Sequence, residues 1–262
     1  MTSGADVADN RRIAERLVRR AAAERATLVV LPETWNLMAG PVATTAAAEP
    51  LDGPSLALVA GLATELRIAI VAGSIAERVG DGQRARNTSV VFGPDGTVAG
   101  TYRKLHLFDV EVGGRTYRES ATVAPGDAVC VADVGPMRLG MSICYDLRFP
   151  ELYRRLVDLG ATAVAIPSAF TARTGRDHWD VLVRARAIED QVFVLAAGQV
   201  GRHPDGSESY GHSMIVDPWG TMLAHVAEGE GIAVADLDLD RLAEIRARLP
   251  ALAHRRPRLV GG

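Results

Sequence analysis

Three stretches of this 262-residue chain each place a reactive side chain at the end of an apolar run. Leu28-Val29-Val30-Leu31-Pro32-Glu33 delivers a carboxylate beyond a proline, and Tyr102-Arg103-Lys104-Leu105-His106 sets a lysine among apolar neighbours. Leu139-Gly140-Met141-Ser142-Ile143-Cys144-Tyr145-Asp146 leads a thiol into a turn ahead of Pro150. Taken singly, each has an ordinary structural explanation: a solvated carboxylate, a solvated ammonium and a small thiol in a core. Together they supply what hydrolysis of an unactivated amide needs. That reaction takes a nucleophile, a base that removes its proton and returns it to the departing nitrogen, and a positive charge where the tetrahedral oxyanion develops. Cys144, Glu33 and Lys104 are the candidates for those parts in that order, and a helix N-terminus at Cys144 would favour its thiolate. A Cys/His pairing is the alternative, since His106, His178 and His212 are all available and spacing does not choose among them.

In open α/β sheets, ligands bind at the carboxyl ends of strands, so the elements that carry these residues matter. Short β-branched runs alternate with stretches of helical period, the pattern of a layered α/β domain. Strands are predicted over 27–31, 68–72, 88–92, 98–102, 138–143, 161–166, 192–197, 212–216 and 232–235, and helices over 10–24, 54–66, 150–159, 178–191 and 240–248. Gly93-Pro94-Asp95-Gly96 and Asp217-Pro218-Trp219-Gly220 read as hairpin turns, so parallel crossovers and antiparallel pairs are both expected. With no linker-like stretch and no internal repeat, residues 1–262 read as a single domain.

Composition narrows the function classes. At 48% hydrophobic and 23% charged residues the chain can fill a core, and its net charge of −3 offers no general attraction to nucleic acid or anionic lipid. The basic tail His254-Arg255-Arg256-Pro257-Arg258 is short and proline-broken and reads as a solvated tail or subunit contact. No run approaches the length of a membrane span and no signal-peptide pattern opens the chain, which points to a cytoplasmic protein. Two cysteines, Cys130 and Cys144, make no disulfide framework and no zinc spacing, and Cys130 reads as an inert core residue. Neither GxGxxG nor a GxxxxGK[ST] loop is present, which sets nucleotide binding aside.

The motifs also occur in a familiar order. Leu31-Pro32-Glu33, the run 102–109, Arg118-Glu119-Ser120, the run 143–151 and the run 211–220 closely resemble the nitrilase superfamily of carbon-nitrogen hydrolases, in the branch of small amidases, from about residue 28 to 259. The resemblance implies a four-layer α-β-β-α sandwich, paired through helices into a homodimer. It also implies that Glu33 is the general base, that Cys144 is the nucleophile, and that Lys104 with the Tyr145 N–H holds the oxyanion. Glu119 would position the lysine and substrate, and no metal or organic cofactor is expected. Residues 167–170, 174–179, 184–189 and 201–203 look most like deaminated-glutathione amidases. Omega-amidases, which act on 2-oxoglutaramate, share much of the pattern, and nitrile or N-carbamoyl substrates use related chemistry. Substrates of the first two groups carry carboxylates, so Arg173, Arg176, Arg202 and His178, with Phe170, are candidate substrate-binding residues. A catalytically silent scaffold on the same fold is the reading from a different class.

The chain departs from that pattern in one place. Members usually open with an apolar strand ahead of the first helix, whereas Met1-Thr2-Ser3-Gly4-Ala5-Asp6 resembles the loop that follows it. Flanking strands with unpaired backbone groups are the expected consequence.

Overall fold

The computed structural model describes residues 1–80 and 84–256, so Pro257 and Arg258 of the basic tail lie outside the described residues. Helix α1 (Val7–Ala23) starts where the Asp6 carboxylate accepts the amides of Ala8 and Asp9, and leads into β1 (Leu28–Val30). Then come α2 (Pro41–Ala46), α3 (Pro54–Leu66), β2 (Ala69–Val71), β3 (Ile75–Glu77), β4 (Arg86–Phe92) and β5 (Val98–Arg103). A hairpin of β6 (Asp109–Val112) and β7 (Arg115–Arg118) precedes β8 (Val131–Val134), β9 (Met137–Met141), α4 (Pro150–Asp158) and β10 (Ala163–Ser168). The rest is α5 (Ala172–Asp190), β11 (Phe193–Gly198), β12 (Val200–Arg202), β13 (Glu208–Tyr210), β14 (Met214–Val216), β15 (Met222–His225) and α6 (Leu239–Arg248).

Two sheets form the centre. The first runs β1-β2-β4-β3 with β5 also on β4, and the second runs β15-β14-β11-β10-β9-β8. β1 and β2 are parallel, as are β9, β10 and β11, while the remaining pairs in these two sheets are antiparallel. Successive strand residues face opposite sides, and the sequence uses both sides. Ile70, Val90 and Phe92 pack against Val59 and Leu62 of α3 and Leu17 and Val18 of α1 in one core. Their neighbours Val71 and Val91 face the other way and join Leu139, Met141, Val164 and Val194 of the second sheet, which is backed by Leu152 and Leu156 of α4 and Trp179 and Val183 of α5. The four layers are therefore helix, sheet, sheet, helix, as the resemblance implied.

Differences from the sequence reading have identifiable causes. Residues 232–235 are apolar and β-branched but lack a ladder partner, and they form no strand. They line a hollow of about 810 Å³ together with Met1, the outer edge of β1 and Leu195 to Gly198. The unpaired strand edge expected from the sequence is that of β1 along this hollow, since β1 pairs only with β2 among the described residues. Helix α5 begins at Ala172, six residues before the expected start, and the small strands β6, β7, β12 and β13 arise where only loops were read. Both expected hairpin turns form, between β4 and β5 and between β14 and β15. In the tail, Arg255 Nη1 pairs with Asp158 Oδ1 at 2.6 Å.

At the carboxyl end of α5, Asp190 is fully buried. Arg154 Nη1 approaches its Oδ1 to 3.1 Å, but off the line of a hydrogen bond, and donates instead to the Glu189 carbonyl. Burial outweighs that cation and pushes the Asp190 carboxyl up to about 7. The folded state thus prefers the protonated form, and its stability is full below the ordinary carboxylate range and is lost as pH rises through about 7. We expect the melting temperature of the wild type to fall between pH 5 and pH 8 by clearly more than that of Asp190→Asn; parallel curves would refute the assignment.

Candidate active site

Each of the sequence-predicted reactive residues leaves its strand into the same cavity, of about 270 Å³, whose lining includes Glu33, Lys104, Glu119, Cys144, Tyr145 and Phe170. Glu33 follows β1 through Leu31 and Pro32. The segment is clamped to the loop after β2, where the Leu31 amide donates to Val71, the Ser74 amide to Pro32, and the Trp35 indole to Ala72. Gly73 is required at this crossing, because a Cβ there would lie 2.0 Å from the Pro32 carbonyl oxygen. The carboxylate itself is 5% exposed as a residue and accepts three hydrogen bonds, from Lys104 Nζ at 2.9 Å, Asn87 Nδ2 at 2.8 Å and the Ala169 amide at 2.8 Å.

Lys104 directly follows β5, and its amide donates to the Asn87 carbonyl of the paired strand. Its ammonium lies between two carboxylates, 2.9 Å from Glu33 Oε1 and 2.9 and 3.0 Å from the two oxygens of Glu119. Burial opposes its charge, yet Glu119 and Glu33 hold the ammonium well above the usual lysine range. Glu119, in a single 3₁₀ turn after β7, also accepts from the Phe108 amide at 2.7 Å. Asn87 bridges both acids through Nδ2.

Cys144 begins a 3₁₀ turn, Cys144–Arg148, after β9, and takes a left-handed φ of 47°. A non-glycine residue in that region is strained, so something must hold it there. The holder is Asp146, which is fully buried. Its Oδ2 accepts from the Ile143 amide at 2.9 Å and the Tyr102 hydroxyl at 2.7 Å, and its Oδ1 from the His106 amide at 3.1 Å and faces His106 Nδ1 at 2.7 Å. One carboxylate thereby ties the turn that bears the thiol to the segment that bears the lysine. Sequence reasoning passed over Asp146, Asn87 and the Ala169 amide. Asp146 stood inside the quoted run 143–151, and only its contacts reveal its work.

The structure corrects three expectations. The Cys144 thiol is not eased toward thiolate: burial and then Glu33 push it well above the usual thiol range, against the opposing pull of Lys104. The five-residue 3₁₀ turn has too weak a dipole to compete, and the Asp146 charge sits at its start. Arg173, Arg176 and His178 do not line the cavity. They are exposed on α5 because the earlier start of that helix turns Thr171 and Thr174 inward instead, and His178 Nδ1 meets Arg148 at 3.3 Å. Arg202 is likewise exposed, facing Glu208 at 3.8 Å. No histidine lines the cavity either, since His106 is bound to Asp146 and stacked on Phe149, and His212 is stacked on Tyr210. The Cys/His pairing is therefore set aside. Cys130 is half-buried against the main core, as read. Among the described residues no three His, Cys, Asp or Glu side chains are grouped as metal ligands would be.

The profile of the family described as carbon-nitrogen hydrolase matches residues 1–247. The chain belongs to that family. It is thus an enzyme of carbon-nitrogen bond hydrolysis with the nitrilase-type fold. It is 43% identical to a deaminated glutathione amidase from Bos taurus, over all of this chain and 81% of the relative. It is 40% identical to an omega-amidase from Homo sapiens, over 91% of this chain and 86% of the relative. The Caenorhabditis elegans protein named NitFhit superimposes with a TM-score of 0.90 at 36% identity over 99% of this chain, which spans only 64% of that longer protein.

Because Asp146 satisfies groups on both sides of the site, Asp146→Asn places an NH₂ against donors. We expect it to cost about 3 kcal/mol of stability and to lower turnover by tenfold or more. Chemical denaturation and ammonia release would read the two effects, and a stable, fully active variant would contradict the clamp.

Proposed function

We propose that the protein is a cysteine-dependent amidase. It converts a small carboxylate-bearing amide to the carboxylic acid and ammonia, with deaminated glutathione as the substrate to test first. The observation that carries this reading is the meeting of a thiol, a paired ammonium and two carboxylates in one cavity. In the reaction, Glu33 takes the S–H proton as sulfur forms a bond to the amide carbon. The oxyanion is held by Lys104 and by the Tyr145 N–H, which lies in the first turn of the 3₁₀ segment, where amides lack intrahelical partners. The intermediate collapses with loss of the C–N bond, and the proton held on Glu33 leaves on ammonia. Water then gives a proton to Glu33 and attacks the thioester, and the proton returns to sulfur as the acid departs. Glu119 holds the lysine, and Phe170 walls the acyl side. The elevated thiol range favours this concerted transfer over a standing thiolate.

The relative named omega-amidase supports 2-oxoglutaramate as the second substrate to test. A homodimer, a cytoplasmic location and a single domain over 1–262 complete the proposal; no described helix is long and apolar enough to cross a membrane. The dimer has support in an apolar patch on α5 and the β14–β15 turn, where Val181, Ile188 and Trp219 are 64%, 50% and 57% exposed and Gly220 abuts Ile188.

Two measurements test these statements. Lys104→Ala should lose roughly two to three orders of magnitude in turnover of either amide, and mass spectrometry of quenched wild type should find an acyl adduct on Cys144. No ammonia from any amide would favour the silent scaffold, and ammonia release with Cys144 unmodified would count against the cysteine nucleophile. Ile188→Glu should elute from a sizing column as a smaller species than wild type with little change in melting temperature; identical elution would count against pairing through α5.

A further inference from the structure

The cavity that contains Cys144 is also lined by Arg115 to Arg118 of the β6–β7 hairpin and by Asp205 and Ser207 of the turn between β12 and β13. Around the thiol, the fixed charges sum to one negative, since the single ammonium of Lys104 faces both Glu33 and Glu119. An acyl chain that itself ends in a carboxylate is repelled from that end and requires a cation elsewhere on the wall. Besides Lys104, three cationic side chains among the described residues line the cavity: Arg86, Arg115 and Arg118. Arg86 stands opposite Glu77 in the ladder, where its charge acts on that carboxylate at a distance while Arg103 and Thr88 bond it. Arg118 is exposed and stands opposite Asp109 in the hairpin, whose carboxylate it likewise favours.

Arg115 is held differently. Its guanidinium lies 5.2 Å over the Tyr117 ring, and a single nitrogen, Nη2, reaches Asp205 Oδ2 at 3.3 Å and the Asp205 carbonyl at 3.4 Å. Asp205 is itself anchored, because its Oδ1 accepts from the Ser207 amide and hydroxyl. The tether is long and one-sided, and among the described residues Nε and Nη1 of Arg115 have no hydrogen-bond partner. Nη2 carries two hydrogens, so with one spent on Asp205 its other hydrogen and that of a neighbouring nitrogen leave one two-donor edge of the planar fork to receive a carboxylate through paired hydrogen bonds.

We propose that Arg115 is a specificity-determining residue that binds the acyl-side carboxylate of the substrate, with Asp205 and Tyr117 as positioning residues that park the fork in the cavity wall. The proposal rests on the amidase reading for its substrate, but not for its contact. It also places substrate recognition on the hairpin rather than on Arg173, Arg176, Arg202 or His178.

The test compares succinamate with butyramide, in which a methyl group replaces the carboxylate. For wild type, Arg115→Gln, Arg115→Lys and Asp205→Asn, kcat and KM are measured by ammonia release. Arg115→Gln should raise KM for succinamate by about tenfold or more and leave kcat/KM for butyramide within about twofold. Arg115→Lys should fall between wild type and Arg115→Gln, and Asp205→Asn, which loosens the tether but keeps the guanidinium, should raise KM for succinamate clearly less than Arg115→Gln does. Equal loss on both amides, or a loss in Asp205→Asn that matches Arg115→Gln, would mark a tether without recognition and overturn the proposal. Calorimetric titration of succinate into Cys144→Ala with and without Arg115→Gln reads the contact without turnover. A tenfold weaker Kd is expected, and an unchanged Kd overturns the inference even if hydrolysis proceeds, whereas failed hydrolysis with the expected shift in Kd would fault the amidase reading alone.

Discussion

The buried ion cluster of Lys104 with Glu33 and Glu119 is the constraint around which the rest is arranged. An unpaired ammonium or carboxylate at that depth would neutralise or force water in, because removing a charge from water costs several kcal/mol after relaxation. Three charges are retained only because each is saturated: Glu33 by lysine, Asn87 and the Ala169 amide, and Glu119 by lysine, Asn87 and the Phe108 amide. Those donors come from β4, from the residue after β5, from the segment before β6 and from the loop after β10. The cluster therefore forms only when both sheets are in register.

The two-sheet centre makes that register hard to escape. A one-residue slip of β2 or β4 would exchange the faces of Ile70, Val71, Val90 and Val91, moving side chains from one packed core into the other. On the other side of the site, the left-handed backbone at Cys144 is held by the four contacts of Asp146. The thiol and the lysine are thus fixed relative to one another by a carboxylate that need not touch the substrate. The resting site keeps its proton on sulfur, and the positive charge is spent on two acids. In the proposed reaction those hydrogen bonds are redistributed when a carbonyl enters, and the fixed donors need little movement to meet the developing oxyanion.

Much was legible in the residues. Short, continuously hydrophobic runs marked β2, β4, β10 and β11, and the Pro54 and Pro150 starts and the Gly-bearing turns marked helices and hairpins within a few residues. The candidate groups Glu33, Lys104 and Cys144 were visible as polar ends of apolar strands. Residues 232–235 misled because a strand is defined by a partner, and the facing edge of β1 is separated from them by a hollow. The β6–β7 and β12–β13 hairpins were missed because their sequences are polar and short, with little one-sided burial to leave a period.

What the amino-acid order determined by itself is the kind of chemistry and the layered α/β frame, since both follow from local patterning and from the side-chain types delivered at strand ends. Which groups touch was decided by tertiary structure alone. Asn87 joins Glu33 from 54 positions away and the Ala169 amide from 136, and Asp146 reaches back across 44 to Tyr102. The rotation of α5 turned Arg173 and Arg176 into solvent, while a polar hairpin brought Arg115 into the cavity wall. Contacts of that kind have no sequence period, because they depend on where whole elements dock rather than on how any one of them is built.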